Sequence, residues 1–233
     1  MKQQLIYAML GVLVTGSVAR GQDYKTDFAK INSAYNAENN IAIDLSYKYY
    51  SNPLDKVPAD SLKGRMVLYH KEYTCNIGDI NMVRNGKYLV AVDKSHKTIF
   101  LGDAKHSTVP IVTFDVLDSL VRQKEVTVGY SDLNGEEGIY QVNEKKGNAY
   151  RYDIYFDKQS YLINEIDIYY HYLPGEQQKS TSHPLLRVYY LNCKKSNPDI
   201  SVFSEANYVN IQNKTIVPVV AYRSYKIVNN LNP

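Results

Sequence analysis

Tryptophan is absent from the 233-residue sequence, phenylalanine occurs five times and cysteine twice, and neither sign of charge dominates. Lysine and arginine number 27 against 24 aspartate and glutamate residues, so the sequence gives no indication of a nucleic acid partner. The cysteines and histidines lack the close spacing of zinc ligands, so no metal site or cofactor is predicted. Cys75 and Cys193 can pair in an oxidising compartment, but two buried thiols are equally ordinary, and the sequence leaves both alternatives open.

No apolar run reaches the roughly 20 residues that a membrane-spanning helix needs, so the sequence does not predict an integral membrane protein. The first apolar run, residues 5–14, follows Lys2 and precedes the small residues Ala19 and Gly21. This order is typical of a cleaved signal peptide. We therefore expect a signal peptide over residues 1–21, a soluble periplasmic protein beginning at Gln22, and a single domain over residues 22–233.

Catalytic motifs are also missing from the sequence. It contains no G-x-S-x-G, no H-E-x-x-H and no glycine-rich phosphate loop. Glu165 and Asp167 are two residues apart and could be paired acids, but the solvated face of a sheet explains them better. The sequence therefore predicts a protein that is not an enzyme.

Tyrosine is abundant, with 23 residues, and it is concentrated in segments of alternating polarity. Residues 150–172 predict two long strands joined by a turn at 157–160, because apolar and polar side chains alternate on both sides of the turn. Arg151, Asp153, Glu165 and Asp167 are assigned to a solvated face. The apolar face comprises Tyr152, Ile154, Phe156, Ile166, Ile168 and Tyr170.

The same alternation predicts a strand over Ile41–Tyr50, and two helical repeats predict helices that pack on the sheet. Residues 23–39 carry an apolar stripe at helical spacing, and residues 114–122 carry a second one. The fold class is therefore mainly β with two packed helices, built on one strongly curved antiparallel sheet of nine to eleven strands that forms an unclosed half-barrel.

This layout resembles the periplasmic lipoprotein carrier superfamily, the LolA/LolB-like fold. The resemblance lies in the signal segment, the amphipathic helix before Ile41–Tyr50, the mid-chain helix and the surrounding strand meander, and it covers essentially the whole mature chain. Residues 222–227 are also similar to exported proteins of the Bacteroidetes type. The family holds a lipid or acyl chain inside the unclosed barrel, so the resemblance implies such a cavity here.

Two functions follow from this reasoning and remain open. The first is a carrier that binds a lipid or a lipoprotein acyl chain on the concave face of the sheet. The alternative is a scaffold or accessory component of an envelope secretion or assembly apparatus that binds another protein. A carrier needs an apolar cavity and a scaffold needs a filled core with an exposed patch. The predicted ligand-binding residues are Ile43, Leu45, Tyr47, Tyr49, Tyr152, Ile154, Phe156, Ile166, Ile168, Tyr170, Phe28, Ile31, Tyr35, Leu117 and Leu120.

Overall fold

The computed structural model describes residues 23–35, 40–106, 123, 125–171, 183–212 and 215–231. Its single described α-helix is α1 (Tyr24–Ala34). The strands are β1 (Ile41–Tyr50), β2 (Asp60–Tyr69), β3 (Glu72–Ile77), β4 (Ile80–Arg84), β5 (Tyr88–Asp93), β6 (Thr98–Asp103), β7 (Val126–Asp132), β8 (Glu137–Glu144), β9 (Ala149–Asp157), β10 (Ile163–Tyr170), β11 (Leu185–Lys195), β12 (Val209–Gln212), β13 (Thr215–Pro218) and β14 (Lys226–Asn230).

Twelve of these strands form one open, curved sheet in the order β14-β6-β5-β4-β3-β2-β1-β11-β10-β9-β8-β7. The sheet is two meanders, β1 to β6 and β7 to β11, joined where β1 pairs with β11. All of its pairings are antiparallel except that of β14 with β6. The predicted large antiparallel sheet is confirmed, but nine to eleven strands was too few. The remaining strands, β12 and β13, form a separate hairpin.

The predicted count of two helices is wrong for the part of the chain that the structure describes. That part contains α1 and four 3-10 turns, and the second predicted helix, residues 114–122, lies outside it. Near the end of the chain, β13 ends at Pro218, which has no backbone N–H to continue a ladder, and β14 begins after a 3-10 turn.

The helix α1 begins where the sequence supplies a cap. The carboxylate of Asp23 accepts hydrogen bonds from the backbone N–H of Lys25 at 3.1 Å and from the hydroxyl of Thr26 at 2.7 Å. Phe28 and Ile31 then place their side chains on one side of the helix, and both are buried. This stripe fixes which side of α1 faces the sheet.

The sheet has two faces, and each is buried over a different part of its width. We call the face that packs against α1 the helix-side face and the opposite one the outer face. The first core lies between α1 and the helix-side face of β1 to β3 and β7 to β11. The second core lies on the outer face of β5 and β6, under the chain that follows β11; its buried members are Val90, Val92, Ile99, Leu101 and Val209.

Both cysteines are free. Cys75 is buried in the first core and Cys193 is partly buried beside it. Burial raises the pKa of the Cys75 thiol to about 11, so this side chain behaves as a small apolar group. Within the described ranges, no helix combines the length and apolarity that a membrane crossing requires.

Candidate functional site

The β9–β10 hairpin forms as the alternation in residues 150–172 predicts. Ile154 pairs with Ile166 and Tyr152 pairs with Ile168, so all four side chains lie on the helix-side face. The register continues through β11 into β1, where Val188 pairs with Tyr47 and Leu186 pairs with Tyr49. The structure therefore brings the predicted apolar faces of β1, β9 and β10 together on one surface.

More than half of the predicted ligand-binding residues are core. Phe156 stacks on Tyr140 with ring centroids 5.5 Å apart, and Phe28 from α1 contacts Tyr140 at 5.2 Å. Rings at these separations fill the space between helix and sheet. The predicted residues that belong to the first core and are at most 8% exposed are Phe28, Ile31, Tyr35, Ile43, Leu45, Ile154, Phe156 and Ile166.

Two polar contacts inside the first core fix the helix to the sheet. The hydroxyl of Tyr140 donates to the carboxylate of Asp27 at 2.7 Å, and the backbone N–H of Ile163 donates to the Tyr35 hydroxyl at 2.9 Å. Burial, followed by the contact with Asp27, raises the pKa of Tyr140 far above its usual range. Sequence reasoning missed Asp27, which lies one residue before Phe28 and is only 2% exposed.

Beyond α1, the helix-side face stays apolar but is only half-buried. We define the half-buried surface as Tyr47, Tyr49, Leu62, Tyr152, Ile168 and Leu186. Across adjacent strands, Leu62 pairs with Tyr47, Tyr49 with Leu186, Leu186 with Ile168, and Ile168 with Tyr152. Leu62, which pairs with Tyr47, is 45% exposed. Tyr170 is also half-buried and follows a register shift at the end of β10. Leu117 and Leu120 lie outside the described residues.

Four tyrosines in and beside this surface are neutral over the physiological range: Tyr47, Tyr152, Tyr170 and Tyr190. Burial raises the pKa of Tyr152 to about 12 and also raises the pKa values of Tyr47, Tyr170 and Tyr190. The Tyr152 hydroxyl donates to Glu144 at 3.3 Å. The surface therefore offers aliphatic side chains and aromatic rings, together with hydroxyl groups that can donate or accept hydrogen bonds but do not ionise.

On the outer face of the same strands, the prediction of a solvated charged surface is wrong in part. Asp153 is 2% exposed and Asp167 is fully buried. The guanidinium of Arg151 forms a two-point contact with Asp153, and that of Arg187 forms one with Asp167, at 2.6 and 2.7 Å in each case. Because carboxylates are rarely buried without such partners, the Arg residues account for their position. In the described ranges, no group of three or more His, Cys, Asp or Glu residues has the geometry of a metal site.

No protein-family model matches the sequence, and no curated protein matches it either. Among solved structures, an uncharacterised conserved protein from Thermus thermophilus aligns with a TM-score of 0.50 and 7% identity, over 90% of this chain and 100% of that one. A LolA superfamily protein from Nitrosomonas europaea aligns with a TM-score of 0.39 and 7% identity, over 78% and 97%. The MucA/MucB complex from Pseudomonas aeruginosa aligns with a TM-score of 0.41 and 12% identity, over 77% and 60%.

The solved structures that align with the chain thus include a LolA superfamily protein, from the family whose fold the sequence resembles. This similarity concerns the fold. The Bacteroidetes-type resemblance of residues 222–227 stays a prediction.

Proposed function

We propose that the protein is a non-catalytic periplasmic binding protein that holds a hydrophobic ligand, such as a lipid or a lipoprotein acyl chain, on the half-buried surface. The observation that carries this proposal is the division of the helix-side face. The residues under α1 are packed to exposures of 8% or less, whereas the adjoining residues of the same strands are equally apolar and only half-buried.

The packed part of the face supports the proposal by fixing the shape of the rest. Tyr47 is two residues from Leu45 on β1, and Ile168 is two residues from Ile166 on β10. Each strand therefore passes directly from the first core into the half-buried surface, which makes the surface a rigid continuation of a filled core. A preformed apolar surface with few polar groups is typical of sites for apolar ligands.

The chemistry of the surface favours binding over catalysis. Tyr47 and Tyr152 keep their protons, since burial raises both pKa values, and Ile168 and Leu186 are inert. An acyl chain gains about 0.8 kcal/mol for each methylene removed from water, and the tyrosine hydroxyls can bind an ester or carboxylate oxygen at its end. We propose that residues 22–233 act as a single binding domain, after removal of the signal segment 1–21.

The test is binding of a fluorescent fatty-acid probe to delipidated protein. Ile168→Gln and Leu186→Gln each place an amide on the half-buried surface, and we expect each to weaken probe binding by about tenfold or more. Val217→Gln is the matched control, because Val217 is 46% exposed on the separate β12–β13 hairpin. It should bind the probe as the unchanged protein does.

Thermal unfolding of each variant separates loss of the site from loss of the fold. Unchanged probe binding in both Gln variants would place the ligand elsewhere. If neither the unchanged protein nor native mass spectrometry of periplasmic material shows a bound lipid, the scaffold alternative would be preferred. N-terminal sequencing of the same material should begin at Gln22, and recovery of Met1 would overturn the proposed export.

A further inference from the structure

A cluster of five charged side chains lies on the outer face of β9, β10 and β11, opposite the first core. We call it the carboxylate cluster: Arg151, Asp153, Glu165, Asp167 and Arg187. Asp153 and Asp167 pair directly across β9 and β10, and Asp167 also pairs with Arg187 across β10 and β11. These pairings bring the three carboxylates and two guanidinium groups together on adjacent strands.

The two guanidinium groups are divided unequally among the three carboxylates: Arg151 contacts one of them and Arg187 contacts two. Arg151 makes both of its short contacts with Asp153. Arg187 makes a two-point contact with Asp167 and a single further contact, from Nε to the Glu165 carboxylate at 2.9 Å. Glu165 therefore has the weakest compensation in the cluster, although its side chain is only 21% exposed.

The neighbouring groups supply little additional positive charge. Tyr155 and Tyr189 pair with Glu165 on either side, and the Tyr169 hydroxyl lies 3.3 Å from Asp153 and 3.5 Å from Asp167. Lys48 on β1 lies over the Tyr189 ring, with Nζ 4.9 Å from its centroid. Glu137 on β8 adds a further negative charge near Glu165. Within the cluster itself, three carboxylates face two guanidinium groups, so negative charges outnumber positive charges by one.

We propose that Glu165 carries a proton up to about neutral pH and donates it in a hydrogen bond to Asp167, which makes the carboxylate cluster a proton-dependent clamp across β9, β10 and β11. In the protonated state, Glu165 donates to Asp167, and each remaining carboxylate keeps one guanidinium partner. In the deprotonated state, Arg187 is divided between two carboxylates, and the repulsion among three negative charges weakens the joined strands.

The expected titration agrees with this geometry. Burial, followed by the negative charge of Asp167, raises the pKa of Glu165 to about 7, and Arg187 opposes the shift. The unfolded chain has the ordinary glutamate pKa of 4.5. Between these values the folded protein binds the proton more tightly than the unfolded chain does. The stabilisation is therefore complete below about pH 4.5 and is lost as the pH rises through about 7.

The test compares the unchanged protein with Glu165→Gln, which mimics the protonated side chain. From pH 5 to pH 8 we expect the folding equilibrium constant of the unchanged protein to fall by about tenfold to a hundredfold more than that of the variant, since partial exposure reduces the full effect. Glu136→Gln is the control, because Glu136 is exposed in the β7–β8 turn. It should keep the pH dependence of the unchanged protein.

A direct measurement covers the case in which the variant folds poorly. In protein labelled with ¹³C at glutamate side chains, the Glu165 carboxyl resonance should titrate with a midpoint near 7. A midpoint near the ordinary value of 4.5, or identical pH dependence in the unchanged protein and Glu165→Gln, would overturn the proposal.

Discussion

The two halves of the large sheet carry their apolar cores on opposite faces. In the half that contains β8 to β11, the helix-side face is packed under α1, and Ile154 and Phe156 are fully enclosed. In the half that contains β5 and β6, the outer face is packed under residues 208–212 and 215–231, and Val92 and Leu101 are fully enclosed. On the opposite, helix-side face of β6, the side chain of Phe100 is 42% exposed, so this face of the strand is not packed.

This difference shows what alternation in a sequence can and cannot specify. Val90 and Val92 are two residues apart in a strand-forming segment, as Ile154 and Phe156 are. The pattern predicts that one face of each strand is buried, but it does not say on which side of the sheet the covering chain lies. Only the pairing register, followed strand by strand from β10 to β6, shows that the buried side has changed.

Truncation of each core should give the largest effects. Ile154→Ala in the first core and Leu101→Ala in the second should each lower the free energy of unfolding by about 2–5 kcal/mol, because both side chains are fully buried. Because one hydrogen-bonded sheet runs through both halves, we expect a single denaturant transition in each variant. Two separate transitions would show that the two cores are independent folding units.

Removing one hydroxyl from each core should have a smaller effect. Tyr140→Phe leaves the buried Asp27 carboxylate without its 2.7 Å donor and should lower the free energy of unfolding by about 1.5–3 kcal/mol. Tyr222 in the second core contacts the rings of Tyr208 and Tyr225, which Tyr222→Phe retains. That variant should stay within about 0.5 kcal/mol of the unchanged protein. If urea denaturation shows the same decrease in the free energy of unfolding for both variants, the hydrogen bond to Asp27 does not stabilise the fold more than an ordinary tyrosine hydroxyl does.

Substituting alanine for each of two glycines on the helix-side face gives a matched pair of variants with still smaller expected effects on stability. A Cβ atom at Gly138 would lie 2.8 Å from the Phe156 ring, whereas one at Gly102 would meet no atom within 4 Å. Gly138→Ala should therefore cost about 1–3 kcal/mol through overpacking, and Gly102→Ala should be neutral or slightly stabilising. Differential scanning calorimetry of the two variants measures this difference. A destabilised Gly102→Ala protein would contradict the view that the helix-side face is open at β6.

The local features of the fold could be predicted from the sequence, and the long-range features could not. The β9–β10 hairpin, the β1 strand and the α1 stripe depend on neighbours in the chain, and the structure confirms them. The burial of Asp167 depends on Arg187, which lies on another strand and becomes its partner only through register. The exposure of Leu62, which pairs with the half-buried Tyr47, likewise depends on packing between elements distant in the sequence.

The candidate site was predictable to the same extent. Alternation assigned Tyr47, Tyr152 and Ile168 to apolar faces, and the pairing register places them on one face of the sheet, but alternation could not separate these half-buried residues from the packed Ile154 and Phe156. Both groups have the same residue types at the same spacing. Their difference is one of tertiary packing: Ile154 and Phe156 belong to the first core that also contains Phe28 and Ile31 of α1, which a local pattern of alternation does not show.

The central position of β1 has a consequence for the order of folding. β1 pairs with β2 on one side and with β11 on the other. The second edge of residues 41–50 therefore stays unpaired until residues 185–195 have folded against it. Contacts so distant in sequence form slowly, and an apolar strand with an unpaired edge is prone to intermolecular association. We expect chains truncated before β11 to aggregate through β1, although the β1–β6 meander is present in full.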